Sequence, residues 1–461
     1  MEINLHNTLT NKKEKFESLE KGAVKMYNCG PTVYGRQHIG NLSMFVFADI
    51  LRRTLEYSGL KVKQVINFTD FGHLSGDNDG QADEGEDRMS KGLKREGFAL
   101  TLENMRKLAE KYANIFLSDL KLLNIDPEKI IFPYASDYIE EQINLIKILE
   151  EKGFAYSGEQ GVYFDTKKFP NYGKLGNINL EGLEEGARVS KTEKRNPTDF
   201  ILWKSDKKLG WESPWGLGFP GWHIECSAMI IKILGEQIDI HTGGIEHIGV
   251  HHNNEIAQSE AATGTSPFSK FWLHREHIKI DDMKISKSEG TAFYMDDLLK
   301  HKIHPLSFRY WLLTSHYKTP ANFTWEGVLG AQNAYEKILS SFKELPEESG
   351  NDGEIVSGFE EAISDDLNTP KVMALLQDAK SKYAISKIDS VLGLKIETLS
   401  KEIFENIPDE ILELKKERDD ARSRKDWQRS DELRVEIEKE GYILEDKIES
   451  GTIRRVLASI N

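Results

Sequence analysis

Cysteine is scarce in this chain: two in 461 residues. So few exclude a disulfide framework, and each would ordinarily be a buried structural thiol. No run of about 18 apolar residues occurs, so no transmembrane helix is expected. The opening Met1-Glu-Ile-Asn-Leu-His lacks the basic flank and apolar core of a signal peptide, and a cytoplasmic location is the expectation. Positive charge is in deficit: 61 Lys and Arg against 76 Asp and Glu give a net charge of −15. A generic nucleic-acid binder is usually basic and is thereby disfavoured, but a local basic strip on an acidic body is enough to meet phosphates. At 39% hydrophobic and 30% charged residues, the chain has the balance of a soluble globular protein rather than a disordered one, and its length suits two to four domains.

From Lys25 to about Thr69 the pattern reads strand, glycine turn, helix, strand. This is a βαβ unit, which calls for a parallel sheet with ligands beyond the carboxyl ends of its strands. Met44, Phe45, Phe47, Ala48, Leu51 and Leu55 favour one helix face, with Arg52 and Arg53 beside it. Residues 71–98 are acidic and glycine-rich and read as a solvated loop; no glutamate stands at the twelfth position from Asp77 to complete a calcium loop. Amphipathic helices are expected over roughly Leu102–Leu123 and from near Ser136 to Gly153. Strand signal appears at Val162–Phe164, Phe200–Trp203 and Gln237–His241, with helical periodicity from Cys226 to Leu234. Beyond about Leu298 the pattern is nearly all helical, broken by a linker at 344–353. It ends in a charged unit carrying Arg418, Arg422, Arg424, Lys425, Trp427 and Arg429 on one helix.

Three constellations carry chemistry. Cys29-Gly-Pro-Thr-Val-Tyr-Gly-Arg-Gln-His-Ile-Gly-Asn41 places a thiol upstream of a turn that opens a helix. Gly40 lets backbone approach a phosphate, the helix N-terminus favours anions, and His38 and Asn41 can donate to phosphoryl oxygens. Cys226, in Gly221-Trp-His-Ile-Glu-Cys-Ser227, stands where a helix begins, and His251 and Glu255 are four apart on one helix face. Two thiolates, an imidazole and a carboxylate can make a zinc site. Taken singly, His251 also reads as a surface residue or a phosphate contact and Glu255 as a solvated helix face, while His252 should point elsewhere. Lys284-Ile-Ser-Lys-Ser-Glu-Gly290 offers two lysines, Lys284 and Lys287, on a loop able to close over a triphosphate and stabilise departing pyrophosphate.

These motifs resemble those of the class I aminoacyl-tRNA synthetases and, among them, the cysteinyl-tRNA synthetases, over nearly the whole chain. Tyr27–Tyr34 is similar to the family's opening segment, His38–Asn41 stands at its HIGH motif, and Lys284–Ser288 stands at its KMSKS motif with Ile285 in place of methionine. Pro220–Met229 and Asp239–Ser259 resemble its central signatures, and Asp365–Pro370 resembles its helical-bundle signature.

The resemblance implies an α/β fold: a Rossmann-like parallel-sheet catalytic domain with an inserted connective domain, then a helical bundle and a small C-terminal anticodon-binding domain. The expected boundaries are 1–120 and 199–270 for the catalytic halves, 121–198 for the insertion and 271–330 for the KMSKS loop and stem-contact region. The bundle would take 331–400 and the anticodon unit 401–461. Cys29, Cys226, His251 and Glu255 would hold one Zn2+ per chain. Cys29, Thr69, Trp222 and His241 would surround L-cysteine. His38, Gly40, Asn41 and Lys287 would bind ATP with Mg2+, and His38, Asn41, Lys284 and Lys287 would serve catalysis. The partners implied are tRNA(Cys), ATP and L-cysteine, with no membrane, and a monomer. Two departures stand out: Asn41 replaces the last histidine of HIGH, and Asn253 replaces a common acidic residue, an exchange expected to alter only the rim.

Overall fold

The computed structural model describes residues 1–72, 87–177, 194–281, 283–284, 292–445 and 452–457. Its centre is a five-stranded sheet of β1 (Ala23–Asn28), β2 (Lys61–Ile66), β3 (Ile130–Ile131), β4 (Ile238–Gly244) and β5 (Ser269–Arg275). The order is β5-β4-β1-β2-β3 and every pair is parallel. Chain order reverses between β1 and β4, the switch point where ligands of such sheets bind. Asn28 donates to the Thr242 hydroxyl across that seam.

Helix α1 (Ile39–Tyr57) follows β1 and makes the expected βαβ unit with β2. Its start is set by His38, whose Nδ1 accepts from the Asn41 amide at 3.2 Å, an N-cap made by a ring rather than a hydroxyl. Phe47, Leu51 and Leu55 pack into an apolar core shared with Leu306, Tyr310 and the helices up to Ile403. The parallel sheet and the helical half of the chain therefore meet through one continuous hydrophobic cluster.

Helix α2 (Trp222–Ile233) is buried along its first nine residues and packs against both α3 (His251–Thr263) and the helix Ile139–Glu151. It begins four residues earlier than the periodicity suggested, so Cys226 lies in its second turn rather than at its start. A four-stranded antiparallel sheet, Ala155–Ser157, Gly161–Phe164, Phe200–Ser205 and Gly218–Pro220, delivers the chain to Trp222.

Two other expectations need correction. Residues 88–96 are not loop but a helix, capped by Asp87 and ended by Gly97 in the left-handed conformation, with Met89 and Leu93 buried. Apolar residues spaced four apart outweighed the acidic composition around them. Near the C-terminus the charged unit is two helices, Asp409–Ser423 and Trp427–Lys439, broken at Lys425, where φ is 62°. No helix among the described residues is long and apolar enough to cross a membrane.

Candidate active site and metal centre

Four strand ends converge at the switch point. Cys29 leaves β1, Asn67 and Thr69 leave β2, and Arg275 ends β5 beside Gly244 of β4. Gly30 is required here by contact: a β-carbon would overlap the Asn67 carbonyl.

The donor atoms of Cys29, Cys226, His251 and Glu255 all lie within 4.8 Å of one another, and all four side chains are buried. Cys29 Sγ is 3.8 Å from Glu255 Oε1 and Cys226 Sγ is 3.6 Å from His251 Nε2. A tetrahedron with metal–ligand bonds of about 2.0–2.3 Å has edges of about 3.3–3.8 Å, so these separations fit a zinc-type site. Electrostatics fit as well. Burial pushes the Cys29 thiol up, while the neighbouring Cys29 thiol, aided by His251, acidifies Cys226. Burial opposes ionisation of Glu255, but His241 and His251 outweigh it and hold the carboxylate at about 2. His251 is raised to about 10 against its own burial, by Glu255 and Cys226. The anionic donors are balanced here by an imidazolium, and a divalent cation displaces such a proton when it binds.

A second set overlaps the first: Cys29, His241, His252 and Glu255. His252 does not point elsewhere, as its sequence position suggested; its Nε2 lies 3.2 Å from Cys29 Sγ and its Nδ1 lies 2.7 Å from His274 Nε2. Both of its ring nitrogens are thus engaged. The first set keeps both thiols, the ligands that favour zinc, and is the better site. His241 fits a supporting position, with its Nε2 2.9 Å from Glu255 Oε2 and its ring stacked on Trp272.

Asn253 is not at a rim. It is 3% exposed, donates to the carbonyls of Leu175 and Ile248 and accepts from the Leu175 amide. Burial on all sides of α3 explains this: a polar residue inside must find partners.

A cleft of about 550 Å³ runs from Cys29 past His38, Gly40 and Asn41 to Lys279. Of the four donors only Cys29 lines it. Trp222 instead borders a smaller cavity of about 120 Å³ and stacks on His251 with ring centroids 4.0 Å apart. Thr69 is buried and donates to Glu225 Oε2 at 3.0 Å. Lys284 is placed on the strand Met283–Lys284, while Lys287 lies outside the described residues.

Sequence reasoning missed Glu225, His247 and Arg275. Glu225 is fully buried, and burial with Cys226 and Asp70 nearby raises its carboxyl well above the usual range. The only signal for it was an acid within the otherwise buried-type run Trp222–Met229. His247 lines the cleft, its ring 5.4 Å from that of His251.

A parallel sheet with a helix N-terminus at its switch point, joined to an α-helical half, is the architecture of a class I tRNA synthetase. Residues 15–333 match the family described as tRNA synthetases class I (C) catalytic domain. In fold alone, the chain is similar to the methionyl-tRNA synthetase of Mycobacterium tuberculosis in complex with methionyl-adenylate. That likeness has a TM-score of 0.57 at 13% identity, over 82% of this chain and 91% of that one.

Sequence relatives narrow the class. The chain is 40% identical to Cysteine–tRNA ligase 1 of Burkholderia lata, over 97% of this chain and 95% of that protein. It is 39% identical to the Cysteine–tRNA ligase of Treponema denticola, over 99% of this chain and 100% of that protein. The chain belongs to the cysteine–tRNA ligase family of class I aminoacyl-tRNA synthetases.

Proposed function

We propose that this enzyme attaches L-cysteine to tRNA(Cys) in two steps. The cysteine carboxylate attacks the α-phosphorus of ATP, forming cysteinyl-adenylate and releasing pyrophosphate. A terminal ribose hydroxyl of the tRNA then attacks the activated carbonyl and AMP leaves. Neither step needs a protein nucleophile; both need alignment and charge stabilisation. His38 Nδ1 accepts from the Asn41 amide at the helix cap, which puts the neutral ring's proton on Nε2, the tautomer suited to donate to a phosphate. Asn41 adds its side-chain amide, and the N-terminus of α1 adds its positive end. Lys284 and Lys287 follow the pyrophosphate, which leaves with Mg2+.

Cys29, Cys226, His251 and Glu255 would hold zinc, which when bound supplies a soft Lewis acid that favours the substrate's thiolate over the hydroxyl of serine. Thr69, Trp222 and His241 shape the ground around that thiol. An apolar pocket separates near-isosteres by only about 1–3 kcal/mol, so a sulfur-selective donor set would make editing unnecessary. The helical bundle at 331–400 and the unit at 401–461 would meet the tRNA.

The observation that carries this reading is the opening of a two-thiol, imidazole and carboxylate cluster, through Cys29, onto the cleft that runs past His38. The test is cysteine-dependent ATP–pyrophosphate exchange followed by charging of a transcript with a GCA anticodon. Exchange with cysteine but not serine, and charging of that transcript, are expected; exchange without charging would move the cysteinyl group to another acceptor.

A further inference from the structure

Four arginines are buried among the described residues: Arg52, Arg275, Arg309 and Arg418. Three of them have a carboxylate. Arg52 and Arg309 share Asp49, and Arg418 lies 3.0 Å from Asp419. Arg275 has none. It is 6% exposed, and its one partner among the described residues is the Ser43 hydroxyl, which accepts from Nε at 3.0 Å. Burial without a counter-charge pulls its pKa down to about 10, so the guanidinium stays charged near neutral pH. A buried charge left without an anion is costly, and folds that keep one place it where an anion arrives.

Its location says which anion. Arg275 ends β5 and lines the cleft together with His38, Gly40, Asn41 and Ser43, the first residues of α1 and its cap. Ser43, having accepted from Arg275, donates to the Gly40 carbonyl at 2.7 Å, which ties the guanidinium to the start of the helix. There the Ile39 amide donates to Phe293 and the Asn41 amide to His38, while the Gly40 amide has no partner among the described residues. Glu246 and Glu276 also border the cleft, and neither forms an ion pair with Arg275. A planar fork of N–H groups beside a free helix-terminal amide matches the oxygens of a phosphoryl group.

We propose that Arg275 is a phosphoryl ligand of this cleft, binding a phosphate of ATP, or the pyrophosphate formed from it, together with the Gly40 amide. This rests on the nucleotide-binding reading above and adds a ligand outside both of the motifs that suggested it. Arg275 contributes affinity for the phosphates and none for cysteine, which meets the opposite end of the cleft at Cys29.

The experiment is calorimetric titration of magnesium pyrophosphate into the full-length protein and its Arg275→Gln variant, with KM values from ATP–pyrophosphate exchange. One charge-assisted interaction predicts pyrophosphate binding weakened about tenfold to a hundredfold. A matching rise in ATP KM is expected, with cysteine KM and metal content unchanged. Affinity within twofold of the parent in a folded variant overturns the assignment, as does a loss confined to cysteine KM. Pyrophosphate binding needs neither cysteine nor tRNA, so the two readings fail separately. A parent protein that binds no pyrophosphate refutes the nucleotide reading, whereas a variant that binds as tightly as the parent refutes Arg275 alone. Should Arg275→Gln not fold, crystals of the parent soaked in pyrophosphate decide. A phosphoryl oxygen within about 3 Å of the guanidinium supports the role. Bound pyrophosphate with Arg275 engaged only by Ser43 overturns it.

Discussion

Arg309 Nη2 lies 2.6 Å from Asp49 Oδ2, and both side chains are fully buried. Asp49 belongs to α1 and Arg309 to the helix Pro305–Leu313, so the pair ties the helix that begins at the cleft to the helical half of the chain. Arg309 also donates to the carbonyls of Leu392 and Leu123. Burial alone would raise the Asp49 carboxyl, but Arg309, Arg53 and Arg52 together hold it below its ordinary value.

Truncating one member of such a network strands the rest. Arg309→Met should lower stability by about 3 kcal/mol, because two buried carbonyls and part of a buried carboxylate lose their donor. Urea unfolding measures it; a loss under about 0.5 kcal/mol would show that Arg52 and Arg53 suffice for Asp49.

Cys226→Ser should reduce bound zinc well below one equivalent and raise the KM for cysteine in pyrophosphate exchange, with ATP KM unaffected. A hydroxyl is a poor zinc ligand beside a thiolate. Metal analysis of the purified protein is the direct measurement, and full zinc occupancy with parental kinetics would remove Cys226 from the donor set.

Substitution can separate the helix cap made by His38 from its proposed role toward the phosphates. His38→Ala should lower adenylation about a hundredfold, as loss of an oriented donor does, and cost about 1 kcal/mol for the missing cap. His38→Asn keeps a capping oxygen, so it should retain the stability while losing a similar part of the rate. Equal melting losses in both variants would mean that the cap is not made by the side chain.

Asp70 supplies a pH dependence away from the metal donors. Burial raises its carboxyl to about 6, against hydrogen bonds from the Ser136 amide and hydroxyl at 3.0 and 2.6 Å. The folded value lies above that of the unfolded chain, about 4, so the native state holds the proton more tightly. Its stabilising contribution is complete below about pH 4 and is lost as pH rises through about 6, a change on the order of 2–3 kcal/mol. Asp70→Asn should abolish that slope, gaining on the parent between pH 4 and pH 7. Parallel stability profiles for the two proteins would show that Asp70 does not titrate in this range.

Local pattern was enough for much of this molecule. Periodicity marked the βαβ unit, the helix from Leu102 and the helical second half, because each depends on neighbours a few residues away. The motif residues also singled out Cys29, Cys226, His251 and Glu255, which the structure gathers into one buried cluster, along with the turn at His38. Pattern misled where composition and packing disagreed: the helix over 88–96 was hidden among acids, and Asn253 looked like a rim residue until α3 proved buried on all sides.

By itself the sequence determined which residue types were available, which lay on helices or strands, and which family their motifs resemble. Only the tertiary structure decided that thiols 197 positions apart meet in one donor cluster, that His252 faces Cys29, and that Arg275 has no carboxylate partner among the described residues. The reason is physical: a strand or helix is encoded by contacts close in sequence, whereas the charge balance of a buried group depends on every element packed around it.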